Sequence, residues 1–145
     1  QEMSRGLGDV YKRQQRARPT LFSNALPTTV AASAEMAIKI LQEEPERVER
    51  LRANVERARS GIRDAGFEVL ESPTAICPII VGDTARAIRL SERLLEKGVF
   101  VIGFGYPVVP EGEARLRVQI SAAHTDEHID RLVEALRELK AEEDA

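Results

Sequence analysis

At Gly66 the hydrophobic period of the chain changes from that of a helix to that of a strand. Before it, Val48, Leu51, Val55, Ala58 and Ile62 recur at spacings of three and four, among Glu46, Glu49, Arg50, Arg52, Glu56 and Arg57. That pattern predicts an amphipathic helix entered at Pro45 and stopped at Ala65-Gly66. After it, Phe67–Leu70 and Ile76–Val81 are short strand candidates. Leu116, Val118 and Ile120 alternate with Arg115, Arg117, Gln119 and Ser121, which predicts a strand with one buried and one polar face. A chain that mixes both periods over 145 residues is one α+β domain with one core.

The remaining elements follow from caps and stops. Asp83 or Thr84 can cap a helix running to Lys97, with Ile88, Ser91, Leu94 and Leu95 on one face and Gly98 ending it. Val99–Ile102 reads as a buried strand, and Gly103–Gly112, with three Gly and two Pro, as a loop. Thr125 caps a last helix with the stripe Ile129, Leu132, Val133, Leu136 and Leu139. Pro78 suggests that its strand is an edge or starts irregularly. Upstream, Val30, Ala34, Ala37, Ile38 and Leu41 predict a further helix from Pro27. The expected fold is a small sheet of about three to four mainly antiparallel strands, with two helices on one face and a long helical lead-in. Arg115, Arg117 and Gln119 fall on the other face.

Composition excludes several classes. Residues 1–18 carry five basic against two acidic residues, which leaves 16 basic against 22 acidic and a net of −6 over residues 19–145. An acidic body without Trp argues against nucleic-acid binding. No apolar run approaches the roughly 18 residues of a membrane span. Cys77 is the single cysteine, so no disulfide forms within the chain, and a reducing compartment, the cytoplasm, is expected.

Residues 1–14 show neither period. The run Asp9-Val10-Tyr11-Lys12-Arg13-Gln14 resembles a translated sequencing adapter. Residues 1–15 are therefore expected to be an artefactual or disordered tail, residues 16–44 a lead-in segment, and residues 45–145 the small domain.

Few residues carry chemistry. Arg115 and Arg117, at i and i+2 on one strand face, suit a carboxylate or phosphate, or are two solvated surface arginines; spacing alone leaves both readings open. His124 and His128 stand four apart, but the cap at Thr125 falls between them and no other ligand cluster is present, so no metal site is expected. Cys77 sits in an apolar run and reads as a buried structural thiol. Gly103-Phe104-Gly105 lacks the third glycine of a dinucleotide loop. None of Lys12, Lys39, Lys97 and Lys140 reads as a desolvated Schiff-base lysine.

Three stretches together carry a resemblance: Leu21-Phe22-Ser23-Asn24-Ala25-Leu26-Pro27, Gly103-Phe104-Gly105-Tyr106-Pro107-Val108-Val109-Pro110, and Ala114–Thr125 with its Arg-x-Arg-x-Gln-x-Ser-Ala-Ala-His-Thr. Over about residues 16–141 the chain resembles the C-terminal part of the α-oxoamine synthases, pyridoxal-phosphate enzymes of fold type I. The branch it is most similar to is that of the glycine C-acetyltransferases, with the 8-amino-7-oxononanoate synthase branch as the alternative. The resemblance implies condensation of glycine with acetyl-CoA to 2-amino-3-oxobutanoate, serving threonine breakdown in reverse. It implies that Arg117 binds the substrate carboxylate, and that Ser23 and Asn24 reach the cofactor phosphate across a homodimer. The family's large domain, with its Schiff-base lysine, lies upstream of the matched part. No catalytic residue is therefore expected within the chain, and the fragment alone is expected to be inactive. The other reading is a stand-alone anion-binding or dimerisation module.

Overall fold

The computed structural model describes residues 2–18 and 25–145. The chain divides into two units, Gln1–Glu43 and Glu44–Ala145. The first holds helix α1 (Glu2–Arg16) and helix α2 (Thr28–Glu43). Helix α1 covers the stretch expected to be an artefactual or disordered tail. Its sequence has no proline and ends on Arg13 and Arg16, where the helix dipole favours cations. In α2 the expected stripe forms, but no residue of that helix is buried, and Val30, Ile38 and Leu41 are exposed.

The second unit runs helix α3 (Glu46–Asp64), strands β1 (Glu68–Val69) and β2 (Ile76–Gly82), helix α4 (Thr84–Glu96), strands β3 (Ile102–Phe104) and β4 (Ala114–Gln119), and helix α5 (Asp126–Glu143). The strands form one antiparallel sheet in the order β1-β2-β4-β3. Each helix starts and stops where its sequence dictates. Glu46 and Glu49 occupy the first turn of α3, and Gly66, at φ +85°, turns the chain out of it into β1. The Asp83 carboxylate accepts the Arg86 amide at 2.7 Å and caps α4. His128 Nδ1 accepts the Thr125 amide at 3.2 Å at the start of α5.

Alternation along β4 sends Ala114, Leu116, Val118 and Ile120 into the core with Cys77, Ile79 and Val81 of β2. Ile62 of α3, Leu94 of α4, and Ile129 and Leu136 of α5 close the same core, each with relative exposure under 2%. Burying such a side chain contributes about 1.5–3 kcal/mol. Three helices, not two, therefore supply the covered side. Ion pairs tie α4 to α5: Arg86–Glu143 at 2.5 Å, Arg93–Glu142 at 2.6 Å and Lys97–Glu138 at 2.5 Å.

Three further expectations are corrected. Pro78 lies in an interior strand, between β1 and β4. Its carbonyl accepts the Leu70 amide at 3.0 Å, so its nitrogen also faces β1. β1 ends there, and the β2–β4 ladder loses no bond. Val99–Ile102 is not a buried strand: within it only Val101 is buried and Phe100 is 75% exposed, and the strand itself begins at Ile102 and forms the sheet edge. On α4, Ala87, Leu90 and Leu94 are buried, whereas Ile88 and Leu95 point outward. The inward stripe is thus shifted toward Ala87 and Leu90, while Ser91 and Leu94 keep their expected side, Ser91 bonding the Val101 carbonyl at 2.6 Å.

Candidate functional site

The sheet face turned away from the helices is built from the outward half of each strand's alternation. Arg117 sits mid-strand on β4, with Pro78 of β2 and Ile102 of β3 as its cross-strand partners. Opposed residues share a face, so two apolar side chains flank the guanidinium. Arg115 has Ile80 and Phe104 as its partners.

The two arginines differ in what holds them. Arg115 Nε donates to the Glu113 carbonyl at 3.1 Å, and its terminal NH2 to the Glu113 carboxylate at 3.0 Å. The charge of Arg115 is neutralised by its neighbour. Among the described residues, none takes a hydrogen bond or an ion pair from the Arg117 guanidinium. Arg117 is exposed and lines a cavity of about 460 Å³ with Phe100, Phe104, Gln119, Ser121 and His124. A free fork against aromatic and aliphatic walls suits a small carboxylate, which two parallel N–H···O bonds would hold in one orientation.

Two lining residues of this cavity, Ser121 and His124, are held in place by a residue that sequence reasoning missed. Asn54 of α3, 7% exposed, donates to the carbonyls of Ser121 at 3.0 Å and His124 at 2.9 Å. It pins the turn after β4 to the helix below the sheet. Its polar side chain among the apolar positions of α3 was the available signal. Gly103 is explained by a close approach: a Cβ there would stand 2.8 Å from the Ala87 carbonyl oxygen, so the residue lets β3 lie against α4.

Ser23 and Asn24 lie outside the described residues. His124 and His128 are both held by the backbone. Their rings stand edge to face at 6.0 Å, and each Nδ1 accepts a backbone N–H, from Ser121 and from Thr125. Cys77 is fully buried, and burial pushes its thiol pKa up, with Arg59 opposing. Among the described residues no group of three or more His, Cys, Asp or Glu is arranged to hold a metal, and no helix is long and apolar enough to cross a membrane.

Residues 12–136 match the family described as aminotransferase class I and II. The chain belongs to that family. It is 48% identical over 126 residues to the mitochondrial 2-amino-3-ketobutyrate coenzyme A ligase of Homo sapiens, covering 87% of this chain and 30% of that protein. It is 45% identical over 131 residues to the 8-amino-7-oxononanoate synthase of Thioalkalivibrio sulfidiphilus, covering 90% of this chain and 33% of that protein. A solved structure of SPT with PLP superposes at a TM-score of 0.78 and 27% identity, covering 91% of this chain and 34% of that one. The chain therefore spans about a third of the length of the relatives it matches.

The residues around the cavity fit only one end of the chemistry that pyridoxal phosphate serves. Arg117, Gln119 and His124 offer donors to an anion, but among the described residues no lysine and no carboxylate lines the cavity. The cofactor's own anchors, an amine for its aldehyde and an acid for its ring nitrogen, are not among these residues.

Proposed function

We propose that this chain is the small-domain portion of a longer pyridoxal-phosphate enzyme that condenses glycine with acetyl-CoA to give 2-amino-3-oxobutanoate. The observation that carries the reading is the contrast along β4: Arg115 is neutralised by Glu113, while Arg117 is left free in a cavity on the uncovered sheet face. Identity to the human ligase, 48%, supports the glycine and acetyl-CoA reading over the 8-amino-7-oxononanoate synthase reading, at 45%.

In this reading Arg117 binds the glycine carboxylate through both arms of its fork. A strand residue held by ladder bonds on both sides has a fixed Cα, so the guanidinium is preorganised and the bonds at the substrate Cα take one orientation. Phe100 and Phe104 line the cavity beside the fork and offer the substrate apolar walls. Pyridoxal phosphate, when bound by the rest of the enzyme, supplies the electron sink. Ser23 and Asn24 would reach the cofactor phosphate of the second subunit in a homodimer. Without an upstream lysine the 145-residue chain is inactive by itself. A single buried thiol suits a reducing compartment such as the cytoplasm.

The test is the full-length chain that carries this segment, assayed for free CoA thiol. Release that requires both glycine and acetyl-CoA supports the reading. Preference for a longer acyl-CoA with another amino acid moves it to the 8-amino-7-oxononanoate synthase branch. A full-length chain without a lysine-bearing domain leaves the anion-binding module.

A further inference from the structure

We infer that His124 is a second hydrogen-bond donor of the Arg117 cavity, acting on the same substrate carboxylate; the inference rests on the proposed amino-acid site. Four observations carry it. First, the turn that presents His124 is a built feature. Asn54 uses both hydrogens of its buried amide on the Ser121 and His124 carbonyls, and the His124 amide closes the turn on the Ser121 carbonyl at 3.2 Å. Second, the ring is oriented. His124 Nδ1 accepts the Ser121 amide at 3.2 Å, and the His128 ring meets it edge to face. Third, an accepting Nδ1 puts the proton of the neutral imidazole on Nε2, so that nitrogen is a donor. Among the described residues Nε2 has no partner. Fourth, His124 is half-buried and lines the cavity that Arg117 enters.

A neutral N–H beside a guanidinium completes a carboxylate site without adding a second charge that would repel the first. Arg117 holds the carboxylate by charge and by its fork; the Nε2–H takes a remaining lone pair and fixes the tilt of the carboxylate plane. The competing role is a purely structural one, in which the Nδ1–Ser121 bond merely closes the turn. The two roles use different nitrogens, and two amide substitutions separate them. His124→Asn keeps an acceptor near the Nδ1 position and loses the reach to Nε2. His124→Gln places an N–H donor near the Nε2 position and loses the Nδ1 acceptor.

The experiment measures binding of glycine, and of methylamine, which is glycine without its carboxylate, to the full-length protein by equilibrium dialysis. Melting temperature is followed alongside. A hydrogen bond to a charged group is worth about 1.5–3 kcal/mol, or at least about tenfold in affinity. Glycine binding should weaken about tenfold in His124→Asn and stay within about threefold in His124→Gln, with methylamine binding unchanged in both. The reverse order overturns the inference, as does equal loss for glycine and methylamine, or a Gln variant that unfolds while the Asn variant stays folded. If the wild type takes alanine or serine in place of glycine, the proposed substrate is wrong and the same comparison is read on that amino acid. If it takes no amino acid, the proposed function and this inference both fall.

Discussion

Arg115 and Glu113 close on each other at the head of β4, through the backbone carbonyl at 3.1 Å and the carboxylate at 3.0 Å. The contact spans two residues and neutralises a cation beside the candidate site. Among the described residues the next outward position, Arg117, has no such partner. Charge on the uncovered face is thus sorted by local pairing, and the asymmetry between two arginines of one strand has a structural cause.

Breaking the pair should free a competitor. With Glu113→Gln, Arg115 loses its counter-charge and adds positive potential at the cavity mouth. Glycine binding to the full-length enzyme should change by less than about threefold at physiological salt, because exposed pairs contribute about 0–1 kcal/mol and are screened. At low salt it should tighten. Loss of binding in the variant would place Glu113 itself in the site.

Gly61 packs its Cα against Val133 where α3 meets α5, with no room for a methyl group. A helical glycine otherwise costs about 1 kcal/mol relative to alanine, so its place here is steric. Gly61→Ala should destabilise the second unit by about 1–3 kcal/mol, despite the gain in helix propensity. Val133→Ala combined with it should recover part of that loss in a denaturation midpoint. An unchanged or raised midpoint in the single variant would mean that the helices separate at little cost.

Glu143 has its pKa lowered below the ordinary carboxylate value, first by its hydrogen bond from Arg86. A carboxylate lowered in the folded state adds stability above its unfolded pKa, and that stability is lost as pH falls through the folded value. Thermal unfolding of Glu143→Gln should therefore match the wild type most closely at acid pH and fall behind it above about pH 5. The gap should shrink in high salt, since both side chains are about a third exposed. A gap that is the same at pH 3 and pH 7 would assign the loss to packing.

No lysine of the described chain is both buried and without a counter-charge, as an imine-forming lysine would be; Lys12 is exposed. Lys97 is paired with Glu138 and its pKa is raised, first by that hydrogen bond; Lys140 pairs with Asp144, and Lys39 with Glu43. An imine needs a neutral amine. The 145-residue chain mixed with pyridoxal phosphate and reduced with borohydride should show low, scattered labelling over several lysines in a peptide digest. One lysine labelled near completion would contradict the account.

What the sequence made legible was local. The alternation of Leu116, Val118 and Ile120 against Arg115 and Arg117, the caps at Asp83 and Thr125, and the stop at Gly66 each depend on residues near one another. The misreadings came from tertiary partners. Val99–Ile102 looks buried by composition, but it runs out to the sheet edge, where half of a strand faces solvent. Pro78 argues for an edge until β1 is seen to end beside its nitrogen. On α4 the pattern placed Ser91 and Leu94 inward correctly, but it could not tell that Ala87 and Leu90, not Ile88 and Leu95, complete that face. At the candidate site, Arg115 and Arg117 are equivalent by period, and the Asn54 bonds to Ser121 and His124 join residues about 70 positions apart.

The most direct measurement is the glycine dissociation constant of the full-length enzyme with lysine at each arginine in turn. Lysine keeps the charge and loses the fork. Arg117→Lys should weaken glycine at least about tenfold, consistent with a lost charge-assisted bond, and leave methylamine and the cofactor bound as before. Arg115→Lys should change glycine by less than about threefold, because its exposed partner Glu113 accepts an ammonium as well. Equal effects at the two positions, or a larger one at Arg115, would contradict the assignment of the carboxylate to Arg117.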